Sequence, residues 1–464
     1  MKAEELHFDL EKIMNMSQDV SPIHKKWALS RVDLKAGVRA ISRTIQPQSI
    51  EFEGLDSGPY SESGIRFGIM TEDGVRSGAV AYSQSREPRI RTGRHQLIEP
   101  DVSKIAVLRS NGIGDFIFAL PALEALRQAY PDAEIILLAL EWHDAFLKNR
   151  PGPIDRVIVV PKSRGVNGAE DGEENPEELE RFFQEMALEN FDIAIQMHGG
   201  GRYSNPFIRR LGARLTVGAC SENALPLDRC IPYHFYQMEI LRYLEIVSLV
   251  GAYTTYFEPH IFVTNEDLQA AARHVPETPK PLAVLHPGAG DPRRRWPVSK
   301  FAKVGDALTD AGAQVLVVGA GMDNEIVDAV CGAMSAGSHN LCGKLDLNAL
   351  TGLLSRASLV VSNDSGPLHL AAAVGASTVG IYWCGNMINA GPLTRSHHRP
   401  AISWRLDCPV CGQDCTRTKC DHKESFVADV PETEVIRSAV DLLQMAEKQN
   451  QNPHFLTYSI ERGY

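Results

Sequence analysis

Two stretches of this sequence carry residue types and spacings suited to chemistry. The first is Asp364-Ser-Gly-Pro-Leu-His369, set between the apolar run Leu359–Ser362 and an alanine-rich stretch that ends at Val374. A strand, a tight turn and a helix at this point would aim unpaired backbone N–H groups at an anion. Ser365 adds a hydroxyl, and Gly366 lets a phosphate approach the backbone closely. The same residues suit an ordinary strand-to-helix turn with Asp364 or Ser365 as helix cap. The second stretch is Cys408-Pro-Val-Cys411-Gly-Gln-Asp-Cys415-Thr-Arg-Thr-Lys-Cys420-Asp-His422. Four thiols and an imidazole this close together have the character of metal ligands, although the spacing matches no common zinc-finger pattern. A zinc or iron ion with a structural role, held by Cys408, Cys411, Cys415 and Cys420, is the expectation. Unligated thiols and local disulfides are the alternatives.

Positioning such groups requires a scaffold, and from Lys104 onward the pattern alternates strand and helix. Ile105–Leu108 reads as a buried strand, followed by a helix over Phe116–Ala129. Strands are expected at Glu134–Leu140, Arg156–Val160 and Phe191–Gln196, and helices at Leu179–Glu189 and Gln237–Val250. A second series begins with the strand Leu282–His286. It continues through Phe301–Ala311, Gln314–Val318, Asp323–Met334, Leu347–Ala357, the Asp364 turn and Ser377–Ile381, with a last helix over Val430–Ala446. Such alternation implies an α/β chain of two doubly wound, Rossmann-like halves facing each other across a cleft. The expected divisions are an unassigned N-terminal extension over residues 1–100, a first half over 101–275, and a second half over 276–445 that includes the cysteine-rich loop 408–422. Residues 446–464 would form a tail. In the extension, Glu4–Met16 suggests a helix, and Gly64–Ser83 a hairpin around Asp73-Gly74.

Composition narrows the function classes. The 464 residues are 44% apolar and 23% charged, ordinary values for a globular protein. A net charge of -11 argues against a general nucleic-acid binder. No apolar run is long enough to span a bilayer, and the polar, acidic start is unlike a secretory signal. A cytoplasmic protein is expected, and with it cysteines kept as thiols or metal ligands rather than as a disulfide framework. Neither Gly288-Ala-Gly290 nor Gly319-Ala-Gly321 continues to a third glycine in the dinucleotide pattern, which weakens a nicotinamide-dependent oxidoreductase reading.

Three motifs stand in order along the two halves: Gly112-Ile-Gly-Asp115 followed by Pro121-Ala-Leu, His286-Pro-Gly-Ala-Gly followed by Trp296-Pro, and Asp364-Ser-Gly-Pro-Leu-His369-Leu-Ala. Together they resemble glycosyltransferase family 9, the heptosyltransferases of lipopolysaccharide core synthesis, over about residues 104–445. The resemblance implies a GT-B fold and inverting transfer, without a catalytic metal or other required cofactor, of a heptose-like sugar from an ADP-sugar to a lipopolysaccharide-core or other glycan acceptor. Asp115 matches the family's proposed base, a carboxylate able to take the acceptor hydroxyl's proton. Gly112 and Gly114 would let that loop pass close to the acceptor. Ser365 and Gly366 correspond to the diphosphate-binding turn, and Arg294 falls where the family carries a phosphate-binding lysine, with Arg293 and Arg295 leaving the choice open by one. His369 is expected near phosphate or ribose unless it is a satisfied helix histidine. Asp323 or Glu325 lies where a ribose-binding carboxylate belongs. Arg202, with Arg209 or Arg210, is the candidate for an anionic acceptor.

The expected partners are thus a nucleotide-sugar and a glycan or glycolipid, with no nucleic acid. A lipid-borne acceptor would place the enzyme peripherally at the inner face of the cytoplasmic membrane, while the oligomeric state stays open. A protein acceptor, a sugar-nucleotide epimerase on the same two halves, and a non-catalytic ADP-sugar binder are the competing readings.

Overall fold

The computed structural model describes residues 66–71, 74–79, 98–418 and 420–451. By itself stands an antiparallel pair, β1 (Arg66–Thr71) and β2 (Gly74–Ala79), in which Thr71 lies opposite Gly74. The hairpin expected around Asp73-Gly74 is therefore present, its second strand beginning at Gly74. The helix expected over Glu4–Met16 and the tail beyond Gln451 lie outside the described residues.

The remaining chain forms two six-stranded parallel sheets of the same topology. The first contains β3 (Lys104–Leu108), β4 (Glu134–Ala139), β5 (Arg156–Val159), β6 (Ile193–Gln196), β7 (Leu215–Cys220) and β8 (Arg229–Pro232), in the order β5-β4-β3-β6-β7-β8. The second contains β9 (Leu282–His286), β10 (Gln314–Val317), β11 (His339–Asn340), β12 (Leu359–Asn363), β13 (Ser377–Trp383) and β14 (His398–Ser403), in the order β11-β10-β9-β12-β13-β14. In each sheet the order of strand addition therefore reverses between its first and fourth strands, which run parallel side by side, the place where doubly wound sheets bind ligands beyond their carboxyl edge. The central strands are apolar runs because helices cover both faces: every residue of β9 and β12 is buried.

Helices of the first half are α1 (Ile113–Ala129), α2 (Glu141–Leu147), α3 (Pro176–Glu189), α4 (Ser204–Arg209) and α5 (Glu239–Ser248). α3 shows how local sequence sets an element. Asn175 accepts hydrogen bonds from the N–H groups of Glu177 and Glu178, Pro176 occupies the first turn, and Asn190 ends the helix in the left-handed region. Leu179, Phe182, Phe183 and Met186 form its buried stripe. α1 instead buries most of its circumference, from Phe116 to Leu126. It packs between its own sheet, α5 and the second half.

The helix α6 (Asn265–His274) falls in the first half by the expected division at residue 275, yet it packs on a second-half helix, Leu347–Arg356, and goes with that half. The second half further carries α7 (Val298–Asp310), α8 (Asn324–Ala333), α9 (Leu347–Arg356), α10 (Gly366–Ala373), α11 (Cys384–Ala390) and α12 (Glu432–Gln451). α6 packs closely on α9, where a side chain at Gly352 would collide with the Asp267 carbonyl. At the same junction a buried ion pair ties the halves together. Arg150, just beyond α2, donates to both oxygens of Asp267 at 2.6 and 3.0 Å and to Asn348 Oδ1 at 3.3 Å.

One expectation about the cysteines needs correction. Cys220 and Cys230, expected as separate thiols, are joined in a disulfide. They lie on the neighbouring strands β7 and β8 with Cα atoms 5.9 Å apart, inside the span that a disulfide bridges.

Candidate active site

The carboxyl edges of the two sheets open into one cleft with a cavity of about 740 Å³, lined from both halves. That volume falls within the range of small-molecule sites, roughly 300–1,000 Å³.

On the first-half side, β3 runs into Arg109 and the loop to α1. The helix begins after Gly112, whose extended backbone supplies no capping side chain, so Asp115 falls in the first turn and is not the cap. Arg109 is buried. It donates from Nη2 to Asp115 Oδ1 at 2.9 Å, from Nε to the Asp115 carbonyl at 3.0 Å, and from Nη1 to the Met197 carbonyl at 2.8 Å. Its guanidinium also lies over the Tyr243 ring, 4.9 Å from the centroid. Tyr243 in turn hydrogen-bonds Glu239, which reaches the cleft at the start of α5. One oxygen of Asp115 is thereby fixed from behind, while the side chain stays about half exposed to the cleft.

On the second-half side, β12 ends at Asn363 and α10 starts after Ser365. Ser365 occupies the cap position but makes no capping hydrogen bond with its side chain, so the amide end of α10 is not closed by its own hydroxyl. That hydroxyl lies 3.2 Å from His286 Nδ1 and 3.1 Å from the Asn363 carbonyl. Asp364, which is buried, accepts from Arg294 Nη1 at 3.2 Å and pairs with His369 Nε2 at 3.1 Å. Burial pushes the Asp364 carboxyl up, but His369 and Arg294 outweigh it and hold the group below the ordinary carboxylate range. Burial has the opposite effect on His286. Its pKa falls to about 4 despite the Asp323 carboxylate, so the ring is neutral at pH 7.

The triple-arginine loop resolves into three separate roles. Arg293 folds back onto both oxygens of Asp291. Arg295 donates to the Ala289 carbonyl at 3.0 Å. Arg294 alone of the three lines the cleft.

Of the residues singled out from the sequence, Gly112, Gly114, Asp115, Arg294, Asp323, Ser365, Gly366 and His369 all meet in this cavity. Gly114 and Gly366 face each other where α1 and α10 cross. A Cβ on Gly114 would lie 3.1 Å from the His369 ring, and one on Gly366 would lie 2.4 Å from Ile113 Cγ2. Both glycines thus serve the approach of the two halves. Asp323 is buried, accepts from the Ala320 N–H at 3.0 Å, and packs against Gly288. Arg202 is not brought to the cleft; it is exposed beside Glu170, 3.8 Å away, and over the Tyr203 ring. Arg209 and Arg210 likewise bond the Pro226 carbonyl and Glu180. The cysteine loop lies outside the cavity lining; there Cys408, Cys411 and Cys420 gather with His422.

Sequence reasoning gave no role to Arg109, Glu239, Tyr243 or His286, although His286 opens one of the three motifs. Arg109 and His286 share a readable signal: each is a basic or polar residue that ends a buried apolar strand at the sheet edge where ligands bind.

The model of glycosyltransferase family 9 (heptosyltransferase) matches residues 179–411. A lipooligosaccharide heptosyltransferase 2 from Haemophilus ducreyi is 26% identical over 291 residues, 58% of this chain and 80% of that protein. The lipopolysaccharide heptosyltransferase 2 of Escherichia coli is 25% identical over 294 residues, 60% of this chain and 82% of that one. Among solved structures, a family 9 glycosyltransferase from Veillonella parvula superposes with a TM-score of 0.61 at 24% identity, covering 75% of this chain and 99% of its own. The Escherichia coli ADP-heptose lipopolysaccharide heptosyltransferase II gives 0.59 at 18% identity, covering 74% and 99%. The twin-sheet fold is that of these GT-B enzymes, and the chain belongs to glycosyltransferase family 9 (heptosyltransferase).

Proposed function

We propose that this glycosyltransferase moves a heptose-like sugar from an ADP-sugar to a saccharide of the lipopolysaccharide core, with inversion at the transferred carbon. The observation that carries the reading is the convergence of Asp115 from one half with Arg294, Ser365 and the amide end of α10 from the other. The donor's diphosphate would lie against the second group and the acceptor hydroxyl against the first. Asp115 takes the hydroxyl proton as the acceptor oxygen bonds to the sugar's anomeric carbon. The bond from that carbon to the diphosphate breaks on the opposite face, so the configuration inverts and ADP leaves.

Charge grows on the departing diphosphate, and preorganised donors offset it: the Arg294 guanidinium and the N–H groups of the first α10 turn. Because these groups can carry the leaving-group charge, the reading calls on no catalytic metal. Arg109 acts as a positioning residue by holding Asp115 Oδ1. Asp323 is the candidate for the ribose hydroxyls. Glu239, which lines the cavity from the first half, is a further polar group for the acceptor. No described helix is long and apolar enough to cross a membrane, and a lipid-borne acceptor would be met peripherally.

Calorimetric titration with ADP-heptose, ADP-glucose and UDP-glucose, followed by anomeric analysis of the product formed on a core acceptor, tests the reading. Preference for the ADP-linked heptose and an inverted linkage are expected. Binding of UDP-sugars alone, or interconversion of the donor without any acceptor, would overturn it.

A further inference from the structure

We propose that Cys408, Cys411, Cys420 and His422 bind one Zn²⁺ ion, which holds together the loop behind the arginine run. One ligand atom from each residue can be chosen so that all lie within 4.8 Å of one another. A tetrahedral zinc site with thiolates at about 2.3 Å needs ligand atoms about 3.7 Å apart, so the group has only to contract slightly. The backbone already favours this. Gly412 donates its N–H to the Cys408 carbonyl at 2.9 Å and turns back in the left-handed region with φ 70°, while the Cys408 N–H donates to the Gln413 carbonyl. That turn brings the two thiols of the Cys-x2-Cys pair to one side.

Two independent observations point to a ligand. Nδ1 of His422 is buried and has no hydrogen-bond partner, a costly state for a polar atom. The loop also lacks a core: among the described residues from 404 to 424, Cys408 is the only one buried. A segment of that length without regular structure must be held by something other than apolar packing. The donor set of three sulfurs and one nitrogen suits tetrahedral zinc. Cys415 stands beside the group, with Sγ 3.8 Å from Cys420 Sγ and directed to the Gln413 carbonyl at 3.4 Å. His422 therefore takes the fourth position that the spacing alone assigned to Cys415.

The loop reaches both halves. Just after it, the Phe426 N–H donates to the Arg293 carbonyl at 2.8 Å and the Ser425 hydroxyl to the Arg295 carbonyl at 2.6 Å. The Tyr236 hydroxyl, from the first half, donates to the Thr416 carbonyl at 2.9 Å. An ion in the loop would brace the segment on which Arg294 sits.

The test is elemental analysis of the full chain purified without chelator, with cobalt substitution as a second readout. About one zinc per chain is expected. The cobalt form should show the visible bands of a tetrahedral site with thiolate-to-metal charge transfer. Cys411→Ser and His422→Ala should lose most of the metal, and Cys415→Ser should keep it. Zinc below about a tenth of an equivalent, with the four loop thiols titrating freely or paired as disulfides, would overturn the proposal. Iron in place of zinc would overturn the choice of metal, and loss of metal in Cys415→Ser with retention in His422→Ala would overturn the ligand set. Chelation of the wild-type protein, read as a lowered melting temperature and loss of the cobalt spectrum, keeps the test open should a variant fail to fold.

Discussion

Replacing Arg294 by alanine removes the one guanidinium of the triple run that faces the cleft. Its loss has two parts. A charge-assisted hydrogen bond to a phosphate oxygen contributes about 1.5–3 kcal/mol. In addition, Asp364 keeps only His369 as a cationic or hydrogen-bonding partner, and its buried negative charge then faces the incoming diphosphate. At about 1.4 kcal/mol per factor of ten, ADP should bind roughly 10- to 150-fold more weakly, toward the upper end because the two effects act in the same direction. Arg294→Lys restores a point charge without the planar fork and should recover only part of the loss. The neighbours supply the control, since Arg293 is committed to Asp291 and Arg295 to the Ala289 carbonyl. Titration calorimetry with ADP reads all four variants on one scale. Affinity within twofold of wild type for Arg294→Ala would refute the reasoning, as would an equal loss from Arg293→Ala.

Asp267→Ala leaves Arg150 charged and buried without its partner, which should cost about 3–5 kcal/mol and appear as a lowered midpoint in urea unfolding. Gly366→Ala drives a methyl into Ile113 where α1 crosses α10. A loss of about 1–3 kcal/mol is expected, and Ile113→Ala in the same chain should relieve part of it. Burial depresses the pKa of His286 to about 4 and that of His143 and His198 to about 3. Each is neutral when folded, so its contribution to stability is complete above the unfolded value near 6.5 and falls away as pH drops from there toward 4 and 3. The urea midpoint should therefore be lower at pH 5 than at pH 7, before the paired carboxylates begin to protonate.

The sequence showed the two-sheet plan because a parallel sheet covered on both faces leaves uninterrupted apolar runs such as Ile105–Leu108 and Leu359–Ser362, broken by turn residues at the functional edge. Strands β7, β8 and β14 were harder to read. They lie toward the sheet edges and mix polar residues, proline and cysteine into short stretches, as Arg229–Pro232 does. Ser365 and Gly366 were legible as a strand-to-helix turn able to hold an anion, although the same types also suit an ordinary helix cap. Whether Asp364 or Ser365 merely capped that helix depended on side-chain direction, which spacing does not encode. The structure turns Ser365 to His286 and Asp364 to Arg294 and His369. Arg202 followed a glycine loop at a plausible sheet edge, yet its side chain points to solvent and Glu170. The preference for His422 over Cys415 in the proposed metal site likewise rests on loop geometry, and the disulfide of Cys220 with Cys230 on the pairing of β7 with the edge strand β8.

The central claim is that Asp115 is the base that activates the acceptor. Its most direct test is turnover of Asp115→Asn with ADP-heptose and a core acceptor, followed by ADP release, alongside calorimetric binding of ADP to the same protein. The account predicts a turnover number lower by roughly 10²- to 10⁴-fold with ADP affinity unchanged, because Asp115 and the diphosphate groups belong to opposite halves. Turnover within a few-fold of wild type at normal ADP affinity would contradict it.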